Sequence, residues 1–141
     1  MDNISLENKF LKVRVKLFGA ELTSVFDKET HTEYMYQPDG IHWNKQSPIL
    51  FPNIGAIRNN SFSYKGNDYE ARKHGFARDY AFKLEDNGSD FATFLLTNEM
   101  IEENYPFDFQ LRLKYTLNGR QLDMSYFVTT ENSEMYFAIG G

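Results

Sequence analysis

The sequence predicts an all-β fold, an antiparallel β-sandwich, on three observations. Apolar residues recur with a period of two along most of the chain, turn-forming residues punctuate it at short intervals, and no stretch carries a helical period of useful length. A strand with one buried face produces such alternation because successive side chains point to opposite sides of the sheet. Taken in order, Leu11, Val13, Val15 and Leu17 alternate with Lys12, Arg14 and Lys16. Strands follow near 22–26 and 33–36, joined through Asp27-Lys28-Glu29-Thr30. A hairpin runs from Phe62-Ser63-Tyr64 through Lys65-Gly66-Asn67-Asp68 and back along Tyr69-Glu70-Ala71. Another is centred on Asp86-Asn87-Gly88-Ser89, between Phe82-Lys83-Leu84 and Phe91-Ala92-Thr93-Phe94-Leu95. The clearest alternation is Phe107, Phe109, Leu111, Leu113, Tyr115 and Leu117, which meets Asn118-Gly119 and returns as Leu122, Met124, Tyr126 and Val128. Asn-Gly suits the positive φ angles of a two-residue hairpin loop.

Composition supports burial of a core. Of 141 residues, 41% are hydrophobic and 16% aromatic, with thirteen Phe and nine Tyr, which places the chain outside the disordered class and predicts one domain over 1–141. Fifteen basic against twenty acidic residues give a net charge of -5. That balance opposes the basic surface that a phosphate backbone requires, so nucleic acid is not an expected partner. The absence of cysteine excludes disulfides, a thiolate metal site and a Cys nucleophile, and fits a reducing compartment. The first residues lack an apolar run of signal-peptide length, and no segment reaches membrane-spanning length. These features read as a soluble, cytoplasmic protein with no membrane partner. His31 and His42 have no companions at metal-ligand spacing and read as surface histidines, so no metal site is expected.

Two segments break the alternation, 43–60 and 73–79, and binding groups are expected there because loops on a rigid sheet carry function. The acidic stretch 98–106 reads as a solvated connection. The last residues, Met135-Tyr136-Phe137-Ala138-Ile139-Gly140-Gly141, read as a strand entering a Gly-rich turn, with the chain truncated after Gly141. Such a strand leaves an unpaired edge that a second copy of the chain, or another protein, would cover by strand addition.

The segment Ser47-Pro48-Ile49-Leu50-Phe51-Pro52-Asn53-Ile54-Gly55 is followed, after a hairpin, by His74-Gly75-Phe76-Ala77-Arg78. Together they resemble the aldose 1-epimerase superfamily, in its galactose mutarotase-related branch. Phe18-Gly19-Ala20-Glu21-Leu22 and the terminal Ile139-Gly140-Gly141 add to the resemblance, which runs from about Leu11 to the end and corresponds to the family's N-terminal half. What it implies is a large antiparallel sandwich that interconverts the α and β anomers of an aldohexose, free or phosphorylated, without a metal or organic cofactor. A base removes the anomeric hydroxyl proton and an acid protonates the ring oxygen, so the ring opens and recloses on its other face. In the family the acid is a His directly after the Gly-Gly turn and the base a later Glu. Both positions fall beyond Gly141.

The resemblance makes His74 the candidate catalytic residue of this chain, hydrogen-bonding the sugar near its reacting centre, as an imidazole near neutral pH can. The competing reading is a histidine that fixes its own loop through a backbone hydrogen bond. Arg78 offers a planar donor fork for vicinal hydroxyls or a phosphate, or else a salt bridge to Asp79. Arg58 is the third candidate, because the family often places an Arg directly after the Gly of the Phe-Pro turn and Ala56 stands there instead. Trp43 presents a flat apolar face for a sugar, although core packing is the more frequent use of a Trp. Phe76 reads as packing under the His74 loop. Two functions from different classes follow: an aldose 1-epimerase-like isomerase, and a carbohydrate-binding sandwich without catalysis.

Overall fold

In the computed structural model, which describes residues 3–141, the alternating segments form two four-stranded antiparallel sheets and a separate hairpin. The first sheet runs in order β1 (Asn3–Glu7), β2 (Leu11–Lys16), β3 (Leu22–Asp27) and β4 (Thr32–Glu33). The hairpin is β5 (Ser61–Tyr64) with β6 (Asn67–Glu70). The second sheet contains β7 (Lys83–Asn87), β8 (Phe91–Thr97), β9 (Gln110–Asn118) and β10 (Gln121–Thr129), with β10 and β7 at its ends.

Period-two burial is realised as predicted. On β2, Leu11, Val13 and Val15 are buried while Lys12 and Arg14 face solvent. On β8 and β9 the pairs Ala92 with Tyr115, Phe94 with Leu113 and Leu96 with Leu111 lie opposite one another, all inaccessible to solvent. They join Leu6, Val13 and Val15 of the first sheet in one core cluster. Full burial of each such side chain contributes about 1.5–3 kcal/mol, which makes this shared layer the main source of cohesion. The Tyr115 hydroxyl crosses the layer and donates to the Ala20 carbonyl at 2.8 Å. Burial pushes that phenol's pKa far above its ordinary value, so it remains a donor.

The structure corrects the sequence reading in four places. The β9–β10 loop is Gly119-Arg120, not Asn118-Gly119, because Asn118 is still paired with Gln121. Gly119 therefore occupies the first loop position with φ +60°, where the turn requires a positive angle. Strand β1 was not foreseen: Asn3-Ile4-Ser5-Leu6-Glu7 is largely polar and buries only Leu6 fully. Strand β4 has two residues rather than a span of 33–36. The Glu33 carboxylate takes the Val25 and Met35 amide protons at 2.8 and 2.9 Å and the Ser24 hydroxyl at 2.5 Å, so a side chain replaces the ladder there.

The fourth correction concerns 135–141, which forms no strand and does not present the expected open edge. Leu50 and Gly140 exchange both backbone hydrogen bonds, at 2.8 and 3.0 Å, and the Ala138 amide donates to the Pro52 carbonyl at 2.9 Å. The Ala138 amide and the amide and carbonyl of Gly140 are thus bonded inside the chain. An exposed outer strand of the second sheet is β10, whose Met124 lies opposite Tyr115 but is 36% exposed.

Candidate functional site

The two loops that break the alternation come together. Trp43, Gln46, Ser47, Pro48, Leu50, Lys73, His74, Arg78 and Gly141 line an open cleft of about 700 Å³. Three of the four residues singled out in the sequence thus share one site. Arg58 does not: it sits on an exposed turn, Arg58–Asn60, and is not part of the lining. Trp43 is 51% exposed and belongs to the cleft rather than to the core.

His74-Gly75-Phe76-Ala77-Arg78 is built against Phe51-Pro52, which are joined by a cis peptide bond. The Phe76 and Ala77 amides both donate to the Phe51 carbonyl, at 2.9 and 3.2 Å. A Cβ on Gly75 would stand 2.1 Å from that oxygen, and Gly75 has φ +70°, so only glycine fits. Phe76 is buried among Phe51, Tyr80, Tyr105 and Phe109, packing under the His74 loop as expected. Ala77 has no exposed surface and belongs to the core cluster. Each residue of the motif therefore has a packing reason, and His74 and Arg78 are the two that reach the cleft.

His74 fixes its own loop, as the competing reading held, and also lines the cleft. Its amide donates to the Gly55 carbonyl and its Nδ1 accepts from the Gly55 amide, each at 2.9 Å. An Nδ1 that accepts carries no proton, so the neutral ring holds its proton on Nε2. The loop bond fixes the tautomer, and Nε2–H is the donor the ring has left.

Arg78 donates from Nη2 to the Lys73 carbonyl at 3.0 Å. The expected pairing with Asp79 is loose, with Nε 3.9 Å from the carboxylate. That Nε is buried without a hydrogen-bond partner. Asp79 is shared with Lys45 at 3.8 Å and Arg72 at 3.5 Å. The other histidines stand apart: His42 pairs with Asp39 at 2.6 Å, and His31 lies beside Phe26.

Two residues that position the cleft were not singled out in the sequence. Glu21 is 2% exposed; its Oε1 accepts from the Gln46 and Ser47 amides at 2.5 and 3.0 Å, and its Oε2 meets Lys16 Nζ at 2.5 Å. It fixes one wall of the cleft to the first sheet. Asn53, 9% exposed, donates from Nδ2 to the Gly55 and Arg72 carbonyls at 3.0 and 2.9 Å and ties the two loops together. The available signals were a carboxylate between Ala20 and Leu22 in an otherwise apolar corner, and an Asn directly after Phe51-Pro52, where side chains commonly bond turns.

The fold is that of the galactose mutarotase-like β-sandwich proteins. Similar solved structures include a galactose mutarotase related enzyme from Lactobacillus acidophilus, 34% identical with a TM-score of 0.90 over 97% of this chain and 46% of that one. A galactose mutarotase-like protein from Lactobacillus casei ATCC 334 is also 34% identical, with a TM-score of 0.88 over 97% of this chain and 47% of that one. Residues 2–141 match the family model for aldose 1-epimerase, and the chain belongs to that family. The chromosomal Protein LacX of Lactococcus lactis subsp. lactis is 39% identical over 95% of this chain and 48% of its own length. The chain spans about half the length of these relatives.

Proposed function

We propose that this chain carries the sugar-binding portion of an aldose 1-epimerase-type site. The carrying observation is the cleft in which Trp43, His74 and Arg78 converge, with His74 held in one tautomer by Gly55. In this reading Trp43 lies against the C–H face of an aldohexose, Arg78 meets its hydroxyls, and His74 donates from Nε2 to an oxygen near the anomeric centre. A donor aimed at an oxygen that gains charge during ring opening stabilises the transition state more than the ground state. The acid and base of full anomer exchange occupy, by family resemblance, positions beyond Gly141.

A second reading, binding without catalysis, is favoured by the lining itself. Ring opening needs two proton-transfer groups, and among the described residues the lining side chains supply one imidazole and no carboxylate. Anomer exchange of glucose and galactose, followed by NMR with this chain and with His74→Asn, separates the two. Asn tolerates the positive φ of position 74 while removing the imidazole. Accelerated exchange that His74→Asn abolishes supports catalysis by this chain; saturable binding at the background exchange rate supports the binding reading. No binding of either sugar overturns both.

A further inference from the structure

The two four-stranded sheets have four outer strands, and three of them are protected against pairing with another chain. Strand β4 has two residues, and β7 carries Lys83, Glu85 and Asp86 and is bulged between Leu84 and Asp86. Strand β1 has five residues, with the Glu7 amide already bonded to the Ser89 carbonyl at 2.8 Å. Short length, charge and bulges are the usual means by which an edge strand avoids a partner. Strand β10 has none of them. Its nine residues pair with β9 in an unbroken register and include one charge, Asp123, and no proline or glycine.

The loop fixes which side of β10 is turned away from β9. Asn118 and Gln121 close a two-residue loop, so they pair by exchanging both backbone hydrogen bonds. The odd-numbered residues of β10 therefore bond to β9, and the amides of Leu122, Met124, Tyr126 and Val128 point outward. No loop or turn backbone among the described residues bonds to them. Their side chains lie opposite Leu117, Tyr115, Leu113 and Leu111 and carry the apolar layer out to the edge, where all four stay partly exposed.

We propose that this edge pairs with β10 of a second copy of the chain, antiparallel about a two-fold axis at Ser125. Ser125 is the middle residue of β10, so that register pairs all nine residues and brings the outward amides of both copies into one ladder. On the apolar side Leu122 then faces Val128 of the second copy, and Met124 faces Tyr126. On the other side Asp123 faces Phe127, so no like charges meet, whereas an axis at Asp123 would set two carboxylates opposite each other. The strand is thus complementary to itself. Each copy has one such edge, so assembly closes at two. The pairing does not depend on what the cleft binds.

Light scattering over a dilution series of the purified chain is expected to show a monomer–dimer equilibrium and nothing larger. Met124→Pro removes one outward amide from each copy without taking a hydrogen bond from β9, and should weaken the dimer about tenfold or more. Ser125→Lys, on an exposed side chain, sets two ammonium groups opposite each other at the axis and should weaken it less. The chain has no cysteine, so Ser125→Cys introduces its only thiol. Facing residues at the axis stand about 4.5 Å apart at Cα, within disulfide range, whereas position 123 faces 127 and is out of reach of its own copy. Oxidation with diamide is therefore expected to cross-link Ser125→Cys and not Asp123→Cys. The proposal is overturned by a chain that stays monomeric at every concentration, by a species larger than a dimer, or by a dimer that does not cross-link at 125. Cross-linking at 123 equal to that at 125 overturns it as well.

Discussion

The β8–β9 pair and the cleft loops are both well ordered, but by different physics. Between β8 and β9, order is distributed: Phe94, Leu96, Leu111, Leu113 and Tyr115 each bury an apolar side chain in a shared layer, and the ladder supplies the backbone hydrogen bonds. In the loops, order is concentrated in a few contacts. Glu21 holds 46–47, Asn53 ties Gly55 to Arg72, His74 clasps Gly55, and Gly75 allows two backbones to touch. A distributed layer tolerates changes of shape at fixed volume, whereas a concentrated clasp fails when one atom changes.

The comparison is sharpest at Gly75. Gly75→Ala adds one carbon, yet that carbon would meet the Phe51 carbonyl at 2.1 Å and the Pro52 nitrogen at 2.6 Å on a backbone with positive φ. A loss of more than about 3 kcal/mol is expected by chemical denaturation. Glu21→Gln comes next, at about 2 kcal/mol, because two amides and a lysine lose the charged acceptor they share. Hydrogen exchange at Gln46 and Ser47 should accelerate while β8 and β9 keep their protection; uniform acceleration would show that the loop is not separately clasped.

Leu111→Met, in the centre of the layer, should cost less than about 1.5 kcal/mol although Leu111 has no exposed surface. A larger cost than that of Gly75→Ala would invert the comparison. The smallest expected effect is a pH dependence. At Glu33, burial favours the neutral acid, but hydrogen bonds from Ser24 and the Met35 and Val25 amides, with the charge of Arg14, outweigh it and hold the pKa below its ordinary 4.5. A depressed folded-state pKa stabilises the fold fully above the ordinary value, and that contribution is lost as pH falls through the folded one. Melting temperature should therefore fall less steeply below pH 4.5 in Glu33→Gln than in the unaltered chain; equal slopes would remove Glu33 from the linkage.

These two regions were also unequally legible. Alternation placed β2, β8, β9 and β10 and the buried faces of the first three directly, because the pleat writes burial into every second residue. The His74 to Arg78 motif pointed to a loop that lines the cleft, and Trp43 lines it as well. Arg58 was not, since nothing in its spacing from Gly55 says that the chain has already turned away from the cleft at Arg58–Asn60. Glu21 escaped notice because an acid beside a turn has the same local sequence whether it faces water or two loop amides twenty-five residues ahead.

What the sequence alone determined is the all-β architecture, the alternating faces of its core strands and the two loops that break the alternation, because all three are recorded in local periodicity and in short contiguous motifs. Tertiary structure alone decided that Leu50 pairs with Gly140, that Trp43 opens onto the cleft and that Glu21 is a clasp. Those facts depend on which distant segments meet, and a carboxylate or an amide carries no mark in the sequence of the partner that folding will bring to it.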